Sequence, residues 1–196
     1  MRQDVKLEHA SRLINHGPTL LVSSAHGGKR NVMAAAWSMP VEFTPPRIAV
    51  VIDKNTYTRE LITASGQLAL SLPCRANADV AYTVGSVSGR DCIGGRDKFD
   101  EYGIGYFAGP VLGLPLVEGC VAWMECKVIS EPSAETKYDT FFVDVVSAQA
   151  DERIFFNGRW HVTSDNAMLH TLHHLGAGMF AVAAPAVEAQ NLPKRN

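Results

Sequence analysis

What this 196-residue sequence lacks sets the first limits. No apolar run approaches the ~18–20 residues that a membrane-spanning helix needs. The first residues, Met1-Arg2-Gln3-Asp4-Val5-Lys6, carry no apolar segment of the kind that begins a secretory signal. A cytoplasmic protein with no membrane partner is therefore expected. Excess charge is also missing: the formal net charge of -2 gives no electrostatic basis for binding nucleic acid or an anionic bilayer. Cysteine is sparse, and Cys74, Cys92, Cys120 and Cys126 contain no CxxC pair. That spacing supports neither a zinc site nor a disulfide framework, so four free thiols are expected. Cys120 and Cys126 stand an even number apart and would share a face of one strand.

The usual catalytic signatures are absent as well. Ser23, Ser24 and Ser38 have no G-x-S-x-G setting, which argues against a serine hydrolase. His170 and His174 stand four apart with His173 beside them, and a helix would put the first two on one face. A metalloprotease needs a glutamate after the first histidine, and Thr171 is there instead, so a rim cluster without a metal is the reading. Gly103-Ile104-Gly105-Tyr106-Phe107-Ala108 matches G-x-G-x-x-A, but Gly109-Pro110 follows where a helix must start, and the match is accidental.

What is present is strand. A helix over 5–16 is expected to stop at Gly17-Pro18, followed by a hairpin of Thr19–Ala25 and Asn31–Ser38 around a Gly-Gly tip. Pro45-Pro46 precedes an apolar strand, Arg47–Asp53, expected to be buried on both faces. A short helix over Thr58–Ser65 stops at Gly66, and Gln67–Leu72 is a further strand. Asn77 is placed to cap a helix through Asp79–Val84, and Gly85–Asp91 reads as irregular. From Gly119 to Gln149 the pattern is strand-like with alternation, in Val121–Val128 and then Thr140–Val146; Arg153–Phe156 is a further short strand, and the tail from Ala183 an arm or frayed end. Strands dominate, and no repeat or βαβ alternation occurs. A mainly β (α+β) class follows: one domain over 1–196, an antiparallel barrel with short helices at its rim.

Two stretches point to a ligand. Asn31-Val32-Met33-Ala34-Ala35-Ala36-Trp37-Ser38 sets three alanines in a strand, where alanine packs poorly. Either a flat non-peptidic group lies against that backbone, or a helix presses on a crowded core strand. Trp37 is either a ring neighbour or a core anchor. Next, Asp53-Lys54-Asn55-Thr56-Tyr57-Thr58-Arg59 leaves a strand and enters a helix. Thr56 or Thr58 can cap that helix, its first N–H groups and dipole favour an anion, and Lys54 and Arg59 add charge. Ser88-Gly89-Arg90 with Asp97-Lys98-Phe99 offers a further lid or phosphate contact. A phosphate tethered to a flat ring joins these features economically.

In order, Asn31-x-Met33-x-Ala35-x-Trp37-Ser38, Pro45-Pro46, Lys54-x-x-Tyr57-Thr58-x-x-Leu61-Ile62, Ser88-Gly89-Arg90 and Asp97-Lys98-Phe99 resemble the flavin reductase-like, FMN-binding split-barrel family, and within it the flavoredoxin branch. The resemblance runs from about residue 15 to 180. It implies FMN bound noncovalently at a homodimer interface, with the alanine strand along the isoalloxazine and the Tyr57-Thr58 loop on the phosphate. The cofactor residues expected from motif and resemblance together are Asn31, Met33, Ala34, Ala35, Ala36, Trp37, Ser38, Asp53, Lys54, Tyr57, Thr58, Arg59, Ser88, Gly89, Arg90 and Lys98. No side-chain acid or base is required, so no catalytic residue is assigned. The implied activity is an NAD(P)H:flavin oxidoreductase serving a small-molecule or protein acceptor. The alternatives are an electron carrier that holds FMN without turning over NAD(P)H, and a binding module for haem or a pyridoxal-type phosphate. The apolar segments Val111–Val117 and Met179–Val182 are the expected dimer contacts.

Overall fold

The computed structural model describes residues 17–190. The helix expected over 5–16 lies outside them, as do residues 191–196. A seven-stranded antiparallel sheet dominates. Its strands are β1 (Leu20–His26), β2 (Lys29–Ala35), β3 (Ser38–Phe43), β4 (Pro46–Val51), β5 (Gln67–Leu72), β8 (Ala122–Ile129) and β9 (Thr140–Ala150), in the order β2-β1-β5-β8-β9-β4-β3. Three two-stranded ribbons complete the β structure: β6 (Tyr106–Ala108) with β7 (Pro115–Val117), β10 (Phe155–Phe156) with β11 (Arg159–Trp160), and β12 (Leu172–Gly176) with β13 (Met179–Val182). Helices are short: α1 (Tyr57–Ser65), α2 (Ala78–Ser86), α3 (Lys98–Tyr102) and α4 (Pro132–Tyr138).

The two edge strands are consecutive in sequence. Only Ala36 and Trp37 separate the end of β2 from the start of β3, and that link spans roughly 10 Å at most. The sheet must therefore curl until its edges approach at one end, giving a barrel split along β2 and β3. The Val51 N–H donates to Trp37 O at 3.0 Å and ties the link to β4. Alternation along β1 then serves two cores. Val22 faces inward with Val50, Ile52, Leu70, Phe141 and Val143. Leu21 faces outward with Val32, Ala81, Val84 and Phe99, beneath α2 and α3.

Several expectations change. The alanine strand ends at Ala35, one residue before the link. The segment after Pro45-Pro46 is buried on neither face throughout: Arg47, Ile48 and Ala49 are half-buried, and only Val50 and Ile52 are enclosed. α2 takes in Gly85 and Ser86, and the Asn77 side chain caps no helix N–H; its Oδ1 accepts from Cys74 N–H at 3.4 Å. α4, which was not expected, lies between the two strands read in 119–149, with Pro132 in its first turn. Ile154 is core, and the strand there is confined to Phe155–Phe156. Cys120 and Cys126 share no face, because Cys120 precedes β8 and joins the outer core while Cys126 joins the inner one. Burial raises both thiols, that of Cys126 to about 12, so neither is a nucleophile. Residues 183–190 carry no regular structure but are fastened by Ala183 N–H to Thr171 O (3.1 Å) and Ala186 N–H to Val162 O (3.2 Å). No helix among the described residues is long and apolar enough to cross a membrane.

Candidate functional site

The open edge of β2 is the axis of the site. Lys98 Nζ donates to Val32 O at 2.9 Å, which marks that carbonyl as facing the split. By alternation Ala34, two residues on, presents its peptide groups to the same side. Three cavities of about 210, 230 and 420 Å³ meet along this edge, and Ala34 lines all of them. Together they form one trough floored by Met33–Ala36.

The end near α1 is polar. Thr56 caps α1, its Oγ1 accepting from Arg59 N–H at 3.3 Å, and the segment Asn55–Thr58 faces the 210 Å³ cavity. Asp53 shapes the entry: its Oδ1 accepts from Asn55 N–H (2.7 Å) and its carbonyl from Thr56 N–H (3.0 Å). Thr58 caps nothing. It is buried, and its Oγ1 accepts from Asn31 Nδ2 at 2.9 Å, which leaves its own proton to donate. Asn31 is 2% exposed, and its Oδ1 has no partner. Gly89 rests on that amide: a Cβ there would stand 2.3 Å from Asn31 Oδ1 and 2.8 Å from Tyr57 Cδ1. Ser88 starts the turn by accepting from Arg90 N–H at 3.2 Å.

Of the four cations expected at a phosphate, only Lys98 faces this cavity. It is 2% exposed, bonded to Val32 O and to Val84 O (2.7 Å), and burial pushes its ammonium down to about 8. Arg30 holds it there by pairing with Asp97, the cap of α3, and with Asp100 at 2.9 Å. Arg59 turns away to Ile52 O (2.7 Å), Glu135 O (2.8 Å) and Asp139 (3.4 Å), and fastens α4 to the sheet. Arg90 clamps the 88–91 turn to α1 through Asn55 O (2.9 Å) and Glu60. Lys54 is exposed and lines none of the three cavities.

The other end of the trough is the 420 Å³ cavity, which Lys137 and Asp139 also line. Trp37 is 50% exposed, so it is no core anchor; with Asp53 and Tyr138 it walls the 420 Å³ cavity. Ser38 begins β3 opposite Val50 and lines none of the cavities. The alanines divide: Ala34 packs under α2, as the crowded-strand reading has it, while Ala36 belongs to neither core and lines the trough. The histidines are not on a helix. His170 is buried, with Nδ1 near Ala183 O (2.7 Å) and Nε2 near Thr163 O (2.8 Å), and His173 and His174 lie on β12. Sequence reasoning missed Gly85, Ser86, Tyr138 and Arg30. The first three reach the trough only through elements brought from elsewhere in the chain, and no local pattern marks them.

Comparison with known proteins agrees with this fold. A protein of Escherichia coli (strain K12), YddH, described as uncharacterized, is 54% identical over 188 residues, covering 94% of this chain and 96% of that protein. The crystal structure of an FMN-binding domain of a flavin reductases-like enzyme from Shewanella baltica OS155 is 40% identical, with a TM-score of 0.84 over 95% of this chain and 96% of that one. Flavoredoxin of Desulfovibrio vulgaris (Miyazaki F) shares the fold, with a TM-score of 0.71 and 24% identity over 88% and 90% of the two chains. Residues 11–166 match the model of the flavin reductase like domain, and the chain belongs to that family of split barrels.

Proposed function

We propose that the trough along β2 binds FMN and that the protein is an oxidoreductase of the flavin reductase type, moving electrons from NAD(P)H to an acceptor. One observation carries this reading. The α1 N-terminus, the buried Lys98 ammonium and the unpartnered Asn31 Oδ1 converge at one end of a trough floored by small side chains. FMN has matching parts in matching order: a phosphate, a hydroxyl-bearing chain and a flat ring. The 40%-identical Shewanella structure, described as an FMN-binding domain, supports the choice of cofactor.

The phosphate falls to the first N–H groups of α1 and to Lys98, where helix dipole and charge-assisted bond act together. Asn31 Oδ1 accepts from a chain hydroxyl, which satisfies a buried oxygen that otherwise costs about 1–3 kcal/mol. Peptide groups at the open edge of β2 bond the polar rim of the ring, and Ala34–Ala36 keep the space that larger side chains would fill. Bound FMN supplies hydride acceptance from a nicotinamide and onward electron delivery. The chain itself orients and shields, and no side-chain acid or base takes part.

A second copy completes the cover. β3 is an edge strand that leaves Met39 61% and Phe43 94% exposed, beside the half-exposed Trp37. Such a strip on an unpaired edge favours a two-fold contact. Of the segments first expected to make it, Leu114, Leu116 and Val117 are buried, while Val111 (57% exposed), Met179 (64%) and Val182 (37%) stay open to a contact.

The test is the visible spectrum of the purified protein, with release of intact FMN on denaturation and steady-state NAD(P)H oxidation with added flavin. A yellow protein that oxidises NAD(P)H is expected. A colourless protein that takes up no FMN at micromolar concentration ends the reading.

A further inference from the structure

α4 walls the 420 Å³ cavity with Lys137, Tyr138 and Asp139, opposite Trp37 and Ala34–Ala36. Its own side chains do little to keep it there. The helix is seven residues long, buries none of them, and leaves Tyr138 62% exposed. A short helix with no apolar face against the sheet opens at little cost unless polar groups hold it.

Arg59 supplies that hold from α1. Its guanidinium donates to Glu135 O within α4 at 2.8 Å and pairs with Asp139, the residue that ends the helix, at 3.4 Å. On the sheet side it donates to Ile52 O at 2.7 Å and lies over the Phe141 ring, 4.3 Å from its centroid. The side chain is 13% exposed, and a positive charge at the last turn of a helix also suits the helix dipole. One backbone bond, from Ile52 N–H to Asp139 O at 2.8 Å, works beside it. The same residue belongs to the first turn of α1, where its N–H donates to the Thr56 cap. Arg59 therefore has its backbone at the polar end of the trough and its charge at the other end, yet lines none of the three cavities itself.

We infer that Arg59 is a positioning residue: it latches α4 across the far end of the trough, so that Tyr138 stands as the outer wall against the bound ring, while the guanidinium touches no part of the cofactor. The effect on the flavin rests on the proposed function; the latch does not. A site that is competent only while α4 is latched loses affinity in proportion to the competent fraction. Lysine would keep the charge but has no planar fork to span Ile52, Glu135 and Asp139 together.

The test measures FMN and riboflavin binding by fluorescence titration in wild type, Arg59→Ala, Arg59→Lys, Tyr138→Ala and the Arg59→Ala/Tyr138→Ala double variant, with amide hydrogen exchange of the flavin-free proteins. Arg59→Ala should weaken FMN and riboflavin by the same ~10-fold, and Arg59→Lys by less. Tyr138→Ala should weaken both as well. The double variant should bind no more weakly than Arg59→Ala, because the tyrosine does nothing once its helix is free. Amides of 133–139 should exchange ~10-fold faster in Arg59→Ala, with those of β1 and β5 unchanged. A larger loss for FMN than for riboflavin puts the guanidinium on the phosphate and overturns the inference. Additive losses, unchanged exchange over α4, or wild-type affinity for both flavins in a variant that has merely lost stability each overturn it too. Should Arg59→Ala not fold, Arg59→Lys carries the same comparisons. If wild type binds neither flavin, the proposed function fails, while exchange over α4 in the flavin-free protein still decides the latch.

Discussion

Lys98 carries the site's one buried charge with a tunable proton. Burial lowers its ammonium from 10.5 to about 8. Below pH 8 both folded and unfolded chains hold that proton, and the burial cost is fully present. Between about 8 and 10.5 the unfolded chain still holds it and the folded chain does not, so this residue's contribution to stability rises with pH. Comparing urea midpoints of wild type and Lys98→Met across that window isolates the effect, and a pH-independent difference would contradict it. An anion beside Lys98 acts the other way and favours the charged form. FMN affinity should therefore be highest below pH 8 and fall above it, while riboflavin, which lacks the phosphate, shows no such fall. Lys98→Met should weaken FMN by about 10- to 100-fold, the worth of a charge-assisted bond, in a fluorescence titration. Equal losses for riboflavin would place the phosphate elsewhere. The sequence alone gave Lys98 no rank above Lys54, Arg59 or Arg90. A lysine's burial depends on which carbonyls the fold brings to it, here Val32 from β2 and Val84 from α2, and no local pattern reports that.

Among the elements, those set by local chemistry were readable. The α1 helix has its Thr56 cap and its Gly66 stop within eleven residues, and the glycine N–H bonds Ile62 O at 2.8 Å. The β1–β2 hairpin follows from its Gly-Gly tip. By contrast α4 buries no side chain and so has no apolar stripe to betray it between two long strands. The trough was half readable. Its alanines were visible, but which of them faces a ligand depends on the packing of α2. Ala36 lies outside both cores, so Ala36→Leu should fill the trough and leave the fold intact. Flavin titration should show no binding while circular dichroism stays native; an unfolded variant would mean that the alanine is core packing. The loop before β7 offers a second test. Glu125 is fully buried and accepts N–H bonds from Val111 (2.8 Å), Leu112 (2.8 Å) and Leu114 (3.4 Å). Removing it in Glu125→Ala orphans those donors and should cost about 2–4 kcal/mol in urea unfolding. A loss under 1 kcal/mol would show that the loop finds other partners.

At the scale of the whole molecule, the barrel class followed from strand content, but its split follows from a topological fact, the two-residue link between opposite sheet edges. That link leaves β3 as an edge strand with Met39 and Phe43 toward solvent, next to the trough. A lone barrel would expose both that strip and one side of the bound ring. A second copy seated on β3 covers them together, so association and cofactor retention should be linked. Light scattering should give about twice the 21.3 kDa chain mass, and dilution to monomer should release FMN. Phe43 is 94% exposed within its own chain, so Phe43→Asp should leave the barrel folded yet set a charge in the contact. The expected outcome is a monomer of native circular dichroism with weakened FMN binding. A variant that stays dimeric would move the contact off β3, and a monomer that keeps its flavin at nanomolar concentration would show that one barrel holds the cofactor unaided.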